Sequence, residues 1–155
     1  WENPASTGEY YWDEAIAYCQ QLSLDGGGWK LPTISELRSL VRGCAGTMTG
    51  GGCNVADGEC VSNSCMVDAG AVASCNGCTA ESGLGPNGCY WPSDVTGPCG
   101  VGESYYWSST IVTDSGWFEN PWFLRFREGK VGHGYNHSPG PGRFNAAQLQ
   151  VRCVK

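Results

Sequence analysis

The sequence predicts an α+β domain in which two short helices precede a cysteine-rich middle and a strand-rich end. Three observations carry this prediction. Apolar residues recur at helical spacing over residues 12–22 and again over 37–44. Strict alternation returns only after residue 105, and eight of the ten cysteines crowd between residues 44 and 99, where no period survives.

The first helix rests on Trp12, Ala15, Ile16, Cys19 and Leu22, spaced as the stripe of an amphipathic helix. Asp13 and Glu14 occupy its first turn, where carboxylates suit the helix dipole. This helix should turn Cys19 toward the core and end at Gly26–Gly28, since glycine accepts the left-handed conformation of a C-cap. Thr33 and Glu36 then form a capping box, and Leu37, Leu40, Val41 and Cys44 repeat on one face. A second helix of about ten residues is therefore expected to start near Thr33 and deliver Cys44 at its end. Between the helices Pro32 holds Leu31 in extended chain, and Trp29 with Leu31 should fill the core there.

Residues 43–102 are rich in glycine and poor in large aliphatic side chains, so this insertion is expected to have little core of its own. An even number of cysteines at this density points to disulfides and an oxidising compartment, each bridge contributing about 2–4 kcal/mol. Sequence does not choose among the pairings of the eight middle cysteines. Cys75-Asn-Gly-Cys78 has neither a regular second pair to complete a zinc site nor the strand and helix that flank a redox motif. In "NVADGEC" Asn54, Asp57 and Glu59 stand close together, which makes Asp57 and Glu59 candidate calcium ligands. The spacing is not that of an EF-hand, and a solvated turn is the preferred reading.

Strand signals resume in "YYWSSTIV" at 105–112, rich in aromatic and β-branched residues. "WFLRFREGKVGHGY" reads as a hairpin turning at Glu128-Gly129. Trp122, Leu124 and Phe126 face one way and Phe123, Arg125 and Arg127 the other. In "AQLQVRCVK" Leu149, Val151 and Cys153 alternate with Gln148, Gln150 and Arg152, the pattern of a half-buried strand with a cysteine on its inner side. Cys19 and Cys153 thus both face inward from opposite ends of the chain, and pairing them leaves an even set in the middle. That bridge should stabilise by about 4–5 kcal/mol because of the long loop it closes.

A net charge of −6 with only nine Lys plus Arg supplies no basic face, which argues against nucleic acid and polyanionic glycans as partners. The local exception is the neighbourhood of Arg125, Arg127, Lys130 and Arg143. No stretch approaches the roughly 18–20 apolar residues that would cross a membrane. The chain carries neither an initiating methionine nor a signal-peptide pattern, and reads as a processed product or excised domain trimmed before residue 1.

Five ordered blocks add a resemblance: "WDEAIAYCQQL" (12–22), "GGWKLPTISEL" (27–37), "YYWSST" (105–110), "LRFREGKV" (124–131) and "VRCVK" (151–155). Together they resemble the bacterial secreted domains named after the C-terminal region of the Legionella collagen-like adhesin. Those domains belong to the C-type-lectin-like superfamily, beside the formylglycine-generating enzymes. The resemblance implies one C-type-lectin-like domain over 1–155, a small twisted antiparallel sheet flanked by two helices, adjacent termini and a bridge from helix to last strand. It makes "WENP" the end of a first strand and Trp107 a packing residue of the central strand. The calcium-lectin signatures Glu-Pro-Asn, Gln-Pro-Asp and Trp-Asn-Asp do not occur, so calcium-mediated sugar binding does not carry over.

The function these features favour is a secreted or cell-surface recognition module for adhesion, binding a glycan or protein ligand without catalysis or cofactor, calcium at Asp57 and Glu59 excepted. Candidate contacts are Trp91, Trp117, Asn120, Tyr135, Asn136, His137 and Arg143, residue types favoured at recognition surfaces, whereas Trp122 alternates with Leu124 and reads as core. One alternative is a structural subunit or adhesin head that self-assembles into a homo-oligomer. A formylglycine-generating-like enzyme is the other. It would need Cys153, which a bridge to Cys19 would occupy. His133 and His137 lie in a Gly/Pro loop where their spacing carries no metal meaning.

Overall fold

A computed structural model describes residues 1–66, 74–100, 104–116, 119–134 and 147–155. Strand β1 (Glu9–Tyr10) leads into helix α1 (Trp12–Gln21), and helix α2 (Ile34–Ser39) follows. Strands β2 (Tyr105–Ile111), β3 (Pro121–Arg125), β4 (Lys130–His133) and β5 (Leu149–Gln150) come after the insertion. They form one five-stranded sheet in the order β1-β5-β2-β3-β4. The β3–β4 hairpin pairs Arg125 with Lys130 and turns through Glu128-Gly129, as its alternation predicts. The sheet is mixed rather than antiparallel, because β5 enters between β1 and β2 and runs parallel to β2. Trp1–Pro4 form no strand; the first strand is β1, while Glu2 N–H donates to the Cys153 carbonyl at 2.8 Å.

Both helices form where their stripes place them, with different ends. Helix α1 stops at Gln21 with Leu22 in extended conformation, so the glycines do not cap it. Gly26, Gly27 and Gly28, all at positive φ, instead shape the following tight turn, where Trp29 Nε1 donates to the Leu24 carbonyl at 2.7 Å. The Thr33–Glu36 capping box is present, with Thr33 N–H donating to Glu36 Oε2 at 2.8 Å and Glu36 N–H to Thr33 Oγ1 at 3.2 Å. Helix α2 is nevertheless only six residues long and does not reach Cys44. Arg42 N–H donates to the Tyr90 carbonyl and Gly43 adopts φ +82°, which turns the chain aside while Leu40 and Val41 stay buried.

The sheet is covered on both faces. Ala15 and Cys19 of α1 pack with Trp29, Leu31, Trp107, Val151 and Cys153 on one side. On the other, Ile34 and Leu37 of α2 meet Tyr106, Trp122, Leu124, Phe126 and Val131 together with Val55, Tyr90, Trp91 and Val95 from the insertion. The insertion therefore contributes to the main core, contrary to the expectation from its composition. Trp91, taken from sequence as a ligand contact, is fully buried there, with ring centroids 5.1 Å from Phe126 and 6.0 Å from Tyr106.

The same second layer overturns the inside-outside reading of the last strand. Gln150 and Arg152 are buried as deeply as Val151 and Cys153, whereas Leu149 is half-buried. The Arg152 guanidinium lies 5.3 Å from the Trp91 ring centroid and donates to the carbonyls of Glu2 and Thr96. Burial lowers its pKa, against the opposing pull of Tyr106 and Glu2.

All ten cysteines are bridged: Cys19–Cys153, Cys44–Cys78, Cys53–Cys75, Cys60–Cys65 and Cys89–Cys99. The first ties α1 to the chain end with Cα atoms 5.5 Å apart. Cys75 and Cys78 belong to different bridges, so their spacing forms neither a metal site nor a redox pair. Among the described residues no helix is long and apolar enough to cross a membrane.

Candidate functional site

A cleft of about 700 Å³ opens between α2 and insertion residues 49–60, lined by Ser35, Arg38, Thr49, Asn54, Asp57 and Glu59 and by the backbone at Gly50-Gly51. Its walls are fixed by two side chains that cross between elements. Arg38 stands one turn after Ile34, on the buried face of α2, and is 4% exposed. Its Nε donates to the Thr47 carbonyl at 2.8 Å and Nη2 to Met48 at 3.1 Å, while Nη1 donates to Val55. One guanidinium thus straps the chain on both sides of Cys53 onto the helix, which a point-like ammonium could not do with the same fork geometry. Burial lowers the Arg38 pKa, and the nearby Glu59 charge opposes that shift.

Asp57 is the second strap. Its Oδ2 accepts from Ser35 N–H at 2.9 Å, its Oδ1 from Thr110 Oγ1 at 2.5 Å, and its own N–H donates to Ser35 Oγ at 2.8 Å. Burial pushes the carboxyl pKa up, but the hydrogen bonds from Thr110, Ser35 and Thr33 outweigh it and hold the group below the usual range. The carboxylate therefore cross-links insertion, α2 and β2, and both of its oxygens serve protein donors. Glu59 stands exposed at the rim beside Asn54. The base of this segment is closed by Ala56 and Cys60, which exchange backbone hydrogen bonds at 2.9 and 3.0 Å, and by the Cys53–Cys75 and Cys60–Cys65 bridges. The result is a rigid concavity offering hydroxyl, amide, carboxylate and backbone groups. Among the described residues no three His, Cys, Asp or Glu side chains converge on a point that could hold a metal ion.

The family model of the Lcl C-terminal domain matches residues 1–155. This chain belongs to that family. No curated protein and no solved structure matches it. Within this Lcl C-terminal domain the residues singled out by sequence do not gather at one place. Asp57 and Glu59 line the cleft, whereas Trp91 and Trp122 are fully buried, the latter donating from Nε1 to the Val61 carbonyl at 3.2 Å. Asn120 is half-exposed between β2 and β3, where its carbonyl accepts from Val112 N–H at 2.8 Å and its Oδ1 meets no donor among the described residues. Trp117, Tyr135, Asn136, His137 and Arg143 lie outside the described residues. His133 lies on β4, paired with Trp122 of β3, rather than in the Gly/Pro loop expected for it, and stacks edge-on to Trp122 with centroids 5.1 Å apart. Burial lowers its pKa against the pull of Asp114.

Sequence reading missed Arg38 and Ser35. The available signal was position: Arg38 lies four residues after Ile34 and next to Leu37, inside the apolar stripe of a capped helix. An arginine there must either leave the core or find several acceptors, and the neighbouring insertion supplies them.

Proposed function

We propose that this domain is a non-catalytic recognition module, secreted or held on a bacterial cell surface, that binds a short neutral glycan in the Arg38–Asp57 cleft. The observation that carries the reading is a polar concavity whose walls are strapped by Arg38 and Asp57 before any ligand arrives, so little ordering cost falls on binding. Its volume of about 700 Å³ suits a small saccharide, and Thr49, Asn54 and Glu59 offer the paired donors and acceptors that sugar hydroxyls require. The net charge of −6 favours a neutral glycan over a sulfated or phosphorylated one. Five disulfides suit an oxidising, extracellular setting. The two helices, the small sheet and the bridge from α1 to the chain end are consistent with a C-type-lectin-like fold that recognises sugar without calcium.

A glycan array probed with the natively oxidised domain, with and without EDTA, tests this. Calcium-independent binding that falls at least tenfold in Asn54→Ala and Glu59→Gln supports it. Binding abolished by EDTA, or untouched by both substitutions, overturns it.

A further inference from the structure

The five disulfides differ in what an attacking thiol would meet, and Cys60–Cys65 differs in three ways that reinforce one another. It closes the shortest loop, with a sequence separation of 5 against 10, 22, 34 and 134 for the others. On the chain-entropy model it restrains the unfolded chain least, so opening it removes the least stability. Cys60 is partly exposed and lines the cleft, which gives a small thiol a way to its sulfur, whereas Cys65 is 2% exposed. Finally, Cys65 Sγ lies 3.1 Å from Ser62 N–H and 3.2 Å from Ser62 Oγ. A disulfide sulfur carries no proton, so the Ser62 hydroxyl is the donor, and Ser64 Oγ, 2.7 Å from Ser62 Oγ, donates to it in turn.

We propose that Cys60 is a site of thiol–disulfide exchange, taking up a low-molecular-weight thiol of the cysteine or glutathione class as a mixed disulfide. The attacking thiol first loses its proton to solvent. Its thiolate electron pair forms a bond to Cys60 Sγ while the Cys60–Cys65 bond breaks, and that bond's electron pair stays on Cys65 Sγ as thiolate. This step exchanges one disulfide for another with no net oxidation. A second thiolate attacking the adduct would release Cys60 and leave the two small thiols joined as a disulfide, two electrons having passed to the protein. Exchange is faster when the departing sulfur is the better stabilised thiolate, and the Ser62 N–H and O–H already point at Cys65. Attack is thus directed to Cys60 by access and by leaving group alike. The Cys44–Cys78 bridge offers the contrast: Cys78 is also partly exposed, but its partner Cys44 is fully buried and their bridge closes a much longer loop.

The reaction stands independently of the glycan reading, since mapping it needs no ligand. The oxidised domain is incubated with reduced glutathione at pH 8, sampled over time, quenched with N-ethylmaleimide and digested for mass spectrometry. The expected result is glutathione on Cys60 and maleimide on Cys65, appearing at least tenfold faster than modification of any other pair. Ser62→Ala should slow this step severalfold while the regiochemistry persists through the remaining N–H. Glutathione on Cys65, earlier opening of another bridge, simultaneous release of all cysteines, or no adduct before unfolding would each overturn the proposal. An unchanged rate in Ser62→Ala would overturn the role given to Cys65 as leaving group.

Discussion

Replacing Cys19 and Cys153 together by alanine should remove about 5 kcal/mol of folding stability. The bridge spans a sequence separation of 134, for which the loop-closure model gives about 5 kcal/mol at room temperature. In the unfolded oxidised chain the Cys44–Cys78 and Cys89–Cys99 bridges short-cut that loop to roughly 90 residues, but the dependence is logarithmic and lowers the figure by only a few tenths. Both sulfurs are fully buried among Ala15, Trp29, Leu31, Trp107 and Val151, so the vacated volume adds about 1 kcal/mol. The matched control is Cys60→Ala/Cys65→Ala, where a separation of 5 gives only about 2 kcal/mol. Urea unfolding without reductant measures both, and the first variant should also show a steeper denaturant slope because its unfolded state is less constrained. By calorimetry its midpoint should fall by roughly 10–20 °C. A loss below about 2 kcal/mol for the first pair, or an equal loss for the two pairs, would refute the loop-length argument.

Two further outcomes follow from the polar cross-links. Asp57→Asn should cost about 1–2 kcal/mol, the part-exposed carboxylate losing charge-assisted bonds from Ser35 and Thr110. Because the folded Asp57 pKa is depressed, its contribution is complete above the unfolded value near 4 and fades as pH falls through the folded value. Equilibrium unfolding from pH 6 to 2 should therefore show a flatter decline in the variant. Arg152→Met should cost at least about 2 kcal/mol in urea unfolding, because it leaves the carbonyls of Glu2 and Thr96 without the guanidinium that donates to them.

What could be read ahead in the chain was whatever one local period decides. The stripe of α1, the Thr33–Glu36 box, the β3–β4 hairpin and the shared inward facing of Cys19 and Cys153 depend on residues near one another in sequence. Errors arose where a distant segment set the environment. Gln150 and Arg152 read as solvent-facing because alternation identifies two faces but does not tell whether the second is covered, and here Trp91, Glu2 and Thr96 cover it. The periodicity of Leu40, Val41 and Cys44 suggested more helix than forms, since a buried position needs only a core neighbour: the helix ends at Ser39, and Gly43 turns the chain just before Cys44. Of the cleft, Asp57 and Glu59 were visible as neighbouring acids. That Asp57 is spoken for by Ser35 and Thr110 depends on contacts 22 and 53 residues away.

The Cys19–Cys153 bridge also decides how the domain would carry a mechanical load. Tension applied between Trp1 and Lys155 runs along residues 1–19, crosses one covalent bond and leaves through 153–155, so residues 20–152 lie off the force path. With the bridge intact only about 22 residues, roughly 75 Å of chain, can be drawn out, against roughly 500 Å for the whole sequence. The sheet beyond its first strand, α2 and the cleft all sit inside the bypassed segment. Pulled by its two ends, the domain would keep residues 20–152 off the covalent force path until the disulfide itself broke.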